Sequence, residues 1–169
     1  MGGRNLMKAN APDFLQNTPQ LQECLDKAVE STFGMILGES PTYCGDGEDT
    51  ADISSGMVGI IAVVGDVSWS LSVGFSPESA TKIAQQFAGF EFDYESDDMC
   101  DVIGELANVL AGDVVAALDE LGIKVQMSLP SVARGSDLQL IQPGAVRSLR
   151  RKYSTSFGDI VVGLAVGKS

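Results

Sequence analysis

The chain has 169 residues, 44% apolar and 20% charged, which suits one soluble domain with a core large enough to need no staples. Its 23 acidic and 11 basic residues leave a formal charge of −12, a field that repels phosphate backbones and anionic lipid and argues against nucleic-acid or membrane-surface partners. The absence of histidine removes His-based triads, and the three cysteines (Cys24, Cys44 and Cys100) form no CxxC pair, so free thiols in a reducing cytoplasm are expected and a zinc site is not.

MGGRNLMKANAPDF carries Arg4 and Lys8 but no apolar run, which reads as no signal peptide. No window approaches the ~18 apolar residues of a membrane span. Residues 1–18 are expected to be a flexible arm, and 19–169 a single domain. PQLQECLDKAVESTFGMILG places Leu21, Leu25, Val29 and Phe33 at helical spacing, with Pro19 at the start and Gly38 at the end. ESPTYCGDGEDT (39–50) is rich in Gly, Asp, Pro and Thr and reads as a loop.

MVGIIAVVG (57–65) and VSWSLSVGF (67–75) read as strands, the second with a clear period of two, joined by a hairpin signal at Gly65-Asp66. SPESATKIAQQFAGF opens with Ser76 as N-cap and Pro77 in the first turn, and its helix ends at Gly89. After acidic DYESDD comes a long helix through DVIGELANVLAGDVVAAL to about Leu121, stopped by Gly122. Ile123, Val125, Met127 and Leu129 then alternate as a strand, with Pro130 marking an edge or bulge. The segments 145–157 and 159–167 form a second hairpin turning at Gly158-Asp159. Two hairpin blocks around helices indicate an α+β fold with a mainly antiparallel sheet, packed with the long helix. The two halves share their order of elements, as a degenerate internal repeat would.

On that helix, Asp101, Glu105, Asn108 and Gly112 fall within roughly 60° of one another at ~100° per residue, with Asp97 and Asp119 on the same line. Ile103, Leu106, Leu110, Val114, Ala117 and Leu121 occupy the opposite, core-facing arc, while Asp113 fits neither. One reading is an ordinary amphipathic helix with an acidic outer face, its first-turn aspartates complementing the dipole. It leaves Gly112 unexplained, since a mid-helix glycine costs ~1 kcal/mol relative to alanine. The other reading is a reactive surface. Asn108 both donates and accepts and so suits orienting a water, Glu105 suits a cation on a partner, and Gly104 and Gly112 leave room for a partner's backbone.

DVIGELANVLAG resembles the signature of the CheC/CheX chemotaxis phosphatases, D-x-x-G-E-x-x-N-x-x-A-G. SLPSVARG (128–135) is similar to that family's Pro-containing strand, and the hairpin leading into FSPESA looks like the CheX branch. The resemblance spans roughly residues 21–167 and implies a CheX-like fold and a phosphatase acting on a CheY-like response-regulator receiver in two-component signalling. Carried over, Asn108 orients the water that attacks the aspartyl phosphate and Glu105 pairs with a receiver lysine, with Asp101, Gly104 and Gly112 at the partner surface. The Mg²⁺ this implies belongs to the receiver, so the chain needs no cofactor or metal of its own. CheC-type members carry a second E-x-x-N on their first helix; here Glu30 is followed by Phe33, so one active stripe is expected. That resembles CheX, and with it a homodimer joined through the sheet, for which the last strand (DIVVGLAVG) would be an edge.

The rival reading is a non-enzymatic docking or scaffold module, because the resemblance extends to flagellar-switch proteins that use a similar fold for assembly. Asp97, Asp101 and Glu105 at i, i+4 and i+8 would hold a divalent cation only weakly, having no glycine-centred ligand loop around them. The basic group Arg147, Arg150, Arg151 and Lys152 reads as solvating a hairpin or meeting an acidic neighbour.

Overall fold

Apolar residues at helical spacing form the first element, α1, which runs as α-helix over Thr18–Val29, widens into a π-helical turn at Glu30–Gly34 and finishes at Met35–Leu37. Gly38, at φ 68°, adopts the left-handed conformation that ends it. The computed structural model describes residues 18–46 and 55–167. The expected arm lies outside them except for Thr18, which already belongs to α1. The remaining elements are β1 (Thr42–Asp46), β2 (Ser55–Gly65), β3 (Ser68–Phe75), α2 (Pro77–Ala88), α3 (Asp97–Glu120), β4 (Val125–Met127), β5 (Ser131–Ser136), β6 (Arg147–Thr155) and β7 (Gly158–Val166).

The strands form one antiparallel sheet in the order β1-β6-β7-β3-β2, with β4 and β5 both paired to β2 at the far edge. Exchanging β1 with β5, β6 with β2 and β7 with β3 leaves that order unchanged. The sheet therefore has the arrangement of two copies of a helix, edge strand and hairpin, which matches the repeat read in the sequence. Alternation along β3 sends Trp69, Leu71, Val73 and Phe75 into one core with the helices, joined by Ile160, Val162, Leu164 and Val166 of β7. On the other face Val58 and Val161 form a small cluster with Leu138 and Leu140.

Four expectations change. β7 is interior, flanked by β3 and β6, so it offers no edge for pairing; strand order is a long-range property that a hairpin pattern does not carry. The second hairpin turns at Ser156-Phe157, two residues before the expected Gly158-Asp159, because Gly158 already pairs with Thr155. Within the expected 39–50 loop, Thr42–Asp46 forms β1 along β6, and residues 47–50 lie outside the described residues.

The fourth concerns Arg151, expected on a solvated surface but 95% buried. Its guanidinium grips both oxygens of Asp26 at 2.9 and 3.0 Å, reaches Asp46 at 3.1 Å, and lies 3.9 Å from the centre of the Tyr43 ring. The Tyr153 hydroxyl donates to Asp26 at 2.5 Å; burial first, then that bond, push its phenol above the ordinary range. The network ties α1 to the β1–β6 edge. A buried guanidinium is tolerable there because a paired carboxylate and an aromatic face replace its water.

Candidate functional site

Ser96 starts α3 by accepting the Met99 N–H at 3.1 Å, and Asp97 and Asp98 follow in the first turn, where carboxylates complement the helix dipole. Met99, Ile103, Leu106, Leu110, Val114 and Leu118 are all fully buried, each worth roughly 1.5–3 kcal/mol of burial. The helix lies directly on β2 at Gly59, where a Cβ would sit 2.7 Å from the Ala107 Cβ and 3.3 Å from the Ile103 carbonyl oxygen. Gly59 is thus a packing glycine that seats the helix.

Two side-chain links fix α3 further. Arg134 of β5 donates to the carbonyls of Tyr94 and Ser96 at 3.0 and 3.2 Å and pairs with Glu95 at 3.3 Å, fastening the loop that launches the helix. The buried Thr32 hydroxyl donates to Asp113 at 2.6 Å, bridging α1 and α3 and accounting for the aspartate that fits neither arc. Neither contact is visible in sequence, since each joins residues tens of positions apart. The only local signal for Arg134 is a lone cation among the small residues of SVARG.

The outward face carries the expected stripe. Asp101 and Glu105 are exposed, and Asn108 and Gly112 are half-buried. Among the described residues, Asp101, Glu105 and Asn108 have no hydrogen-bond or ion-pair partner within the chain, so their polar atoms are open to a partner. A Cβ at Gly112 would meet nothing within 4 Å. Gly104 differs from expectation. It is buried, and its bare side faces the chain's own Pro130 and Val132, with a Cβ 3.5 and 3.6 Å from their nearest atoms. The space it leaves serves the seating of the β4–β5 edge. Leu121, expected on the core arc, is 52% exposed because it lies past the last helical residue.

On α1, at the place matching Glu105 and Asn108, Glu30 is exposed and accepts from the Ser40 hydroxyl at 2.7 Å, while Phe33 is fully buried against Phe75. An aromatic turned into the core cannot orient water, so the described residues present a single open stripe of this kind. Among the described residues no three carboxylates or thiols lie close enough to hold a metal ion. Of the thiols, Cys24 is buried and pushed up to about 11 by that burial, leaving it protonated near neutral pH.

Comparison with known proteins places this geometry in a family context. The family model described as "Chemotaxis phosphatase CheX" matches residues 57–153, which includes the whole of α3. A curated relative, the CheY-P phosphatase CheX of Thermotoga maritima, is 31% identical over 99 residues; the match covers 58% of this chain and 64% of the relative's length. Among solved structures, a CheC-like superfamily protein from Shewanella sp. PV-4 superposes with a TM-score of 0.78 at 18% identity, covering 90% of this chain and 99% of that one. A chain of a CheX–CheY–BeF₃–Mg²⁺ complex from Borrelia burgdorferi superposes with a TM-score of 0.72 at 19% identity, covering 87% of this chain and 97% of that one.

Proposed function

The chain belongs to the chemotaxis phosphatase CheX family, and we propose that it accelerates hydrolysis of the aspartyl phosphate on a CheY-like response-regulator receiver. The observation that carries this reading is the pair Glu105 and Asn108, on successive turns, unpartnered among the described residues and facing outward from a helix fixed to the sheet at Gly59 and at Arg134.

Phosphoryl transfer from an aspartyl phosphate to water asks little covalent work of a helper protein. The demand is a water held in line with the bond that breaks, and charge placed against the phosphoryl oxygens. The Asn108 amide oxygen accepts a hydrogen bond from that water and its NH₂ donates one to the phosphoryl group, fixing the direction of attack. Glu105, three residues earlier, pairs with a lysine beside the receiver's phosphate and sets the register of docking. Asp101 extends the acidic surface toward the helix N-terminus, and Gly112 keeps the turn beyond Asn108 low enough for the receiver to approach. Gly104 acts from inside, by seating the strand that flanks the stripe. The Mg²⁺ of the reaction would be held by the receiver, where it would neutralise phosphoryl charge; this chain contributes the amide and the carboxylate.

A homodimer joined through its sheets would use β1, since β7 is interior and β4–β5 borders the stripe; sedimentation at monomer mass would remove it. The test of the function is the decay of phosphorylated CheY-like receivers from the source organism, with and without the chain. Faster decay of at least one receiver is expected. Decay unchanged for all of them would leave a docking module.

A further inference from the structure

Leu129 is 88% exposed, the most exposed of the large apolar side chains in the described residues, although it continues the alternation of Val125 and Met127. The reason lies in the register. Ser128 is held opposite Ala62, donating its N–H to the Ala62 carbonyl at 2.9 Å, and Ser131 pairs with Ile60. Two residues, Leu129 and Pro130, therefore oppose Ile61 alone, which is a β-bulge. Pro130 takes the inward place against Gly104, and Leu129 is the extra residue turned out of the edge.

The bulge is held on both sides. The Ala62 N–H donates to the Ser128 hydroxyl oxygen at 3.0 Å, and that hydroxyl donates to the Leu129 carbonyl at 2.9 Å. Leu129 thus stands on a braced backbone at a sheet edge. Its place relative to the stripe follows from the packing. α3 passes Gly59 at Ala107, and the chain just after it reaches Gly65 at Lys124, so helix and β2 climb in the same direction. The β4–β5 edge is antiparallel to β2, so stepping back from Pro130 to Leu129 follows the climb from Gly104 to Asn108. Leu129 flanks the stripe on the Asn108 side. On the other flank, 38% exposed Val109 gives a second apolar border.

We propose that Leu129 is the apolar anchor of the receiver-docking surface, seating against an apolar patch beside the receiver's phosphorylated aspartate. This rests on the reading of the chain as a receiver phosphatase. The occupant follows from continuity: Pro130 packs on Gly104 beside the stripe, so a partner placing its phosphate at Asn108 lies next to the edge on which Leu129 stands outward. Such a contact fits how interfaces divide their labour. A rigid apolar side chain supplies affinity, while Glu105 and Asp101 steer and orient through charge. Leu129 acts on binding and leaves the hydrolytic step to Asn108.

The experiment uses the full chain and the CheY-like receivers of the source organism, loaded with beryllium fluoride and Mg²⁺ for binding and phosphorylated for turnover. Leu129→Ser is expected to raise Kd and KM about tenfold or more, with turnover at saturating receiver kept and the melting temperature unchanged. Leu129→Met restores affinity, because length and apolarity are what the contact needs. Asn108→Ala shows the opposite split, losing turnover while still binding. Wild-type affinity in Leu129→Ser, beside an Asn108→Ala that has lost turnover, would overturn the anchor and leave the phosphatase reading standing. A Leu129→Ser chain that changes its sedimenting mass but not its receiver affinity would place Leu129 between copies of this chain, which also overturns the proposal. A wild-type chain that neither binds nor dephosphorylates any receiver would sink the underlying reading, and the anchor with it.

Discussion

Replacing Gly112 separates a structural glycine from a docking glycine. Its backbone is ordinary α3 helix, and a Cβ there would meet no atom within 4 Å. Nothing in the fold requires glycine at this place. Alanine removes the backbone-entropy cost of a mid-helix glycine, a gain of up to ~1 kcal/mol, which for a chain of this size raises the melting temperature by roughly 2–4 °C. Leucine is nearly as good a helix former, so Gly112→Leu is expected to melt no lower than wild type. The larger side chain, however, rises from the stripe one turn beyond Asn108, where the receiver must come close. Gly112→Leu should therefore lose receiver binding and phosphatase activity together while its melt is preserved. The assay is a thermal melt beside a titration with beryllofluoride-loaded receiver on the same preparation. Unimpaired binding by folded Gly112→Leu would refute the placement of the receiver on this face. A Gly112→Ala melt well below wild type would refute the claim that the fold leaves the position free.

Glu105→Ala should weaken receiver binding by roughly 2 kcal/mol, and the loss should shrink as salt rises; Glu105→Gln should fall between alanine and wild type. Wild-type affinity in Glu105→Ala at low salt would end its role as a lysine partner. Gly59→Ala forces a Cβ to 2.7 Å from Ala107 and should cost about 1–3 kcal/mol as α3 is lifted off β2, read as a lower melting temperature. Adding Ala107→Gly relieves that contact, so the double variant should melt above the sum of its two single losses; strict additivity would mean the helix is not seated there.

Local chemistry explains which parts of this architecture could be read from sequence. Ser76-Pro77 caps α2 as its residue types demand, and the alternation of VSWSLSVGF survives as β3 with its apolar face inward. The stripe was legible because helical periodicity fixes which residues share a face. Most of the misreadings involve long-range partners. TYCGD looks like a loop by composition and becomes a strand because Tyr43 packs between Arg151 and Tyr153 of β6. Arg151 looks solvated until Asp26, 125 residues away, supplies its carboxylate. Gly104 sits at helical spacing from the stripe yet faces inward, because Pro130 returns along that side of α3. Leu129 obeys the alternation by count and breaks it in space, since the bulge adds one residue to the strand.

The most direct test of the account is the rate at which a phosphorylated CheY-like receiver loses its phosphate in the presence of wild-type chain or Asn108→Ala, with binding of each to the beryllofluoride-loaded receiver measured alongside. Asn108 is half-buried on the outer stripe with no partner among the described residues, so alanine should leave the fold and the docking surface intact. Asn108→Ala is expected to bind as wild type does while the accelerated rate falls about 10²-fold, or to the receiver's own decay if that is reached first. A folded Asn108→Ala chain that speeds phosphate loss as well as wild type would contradict this.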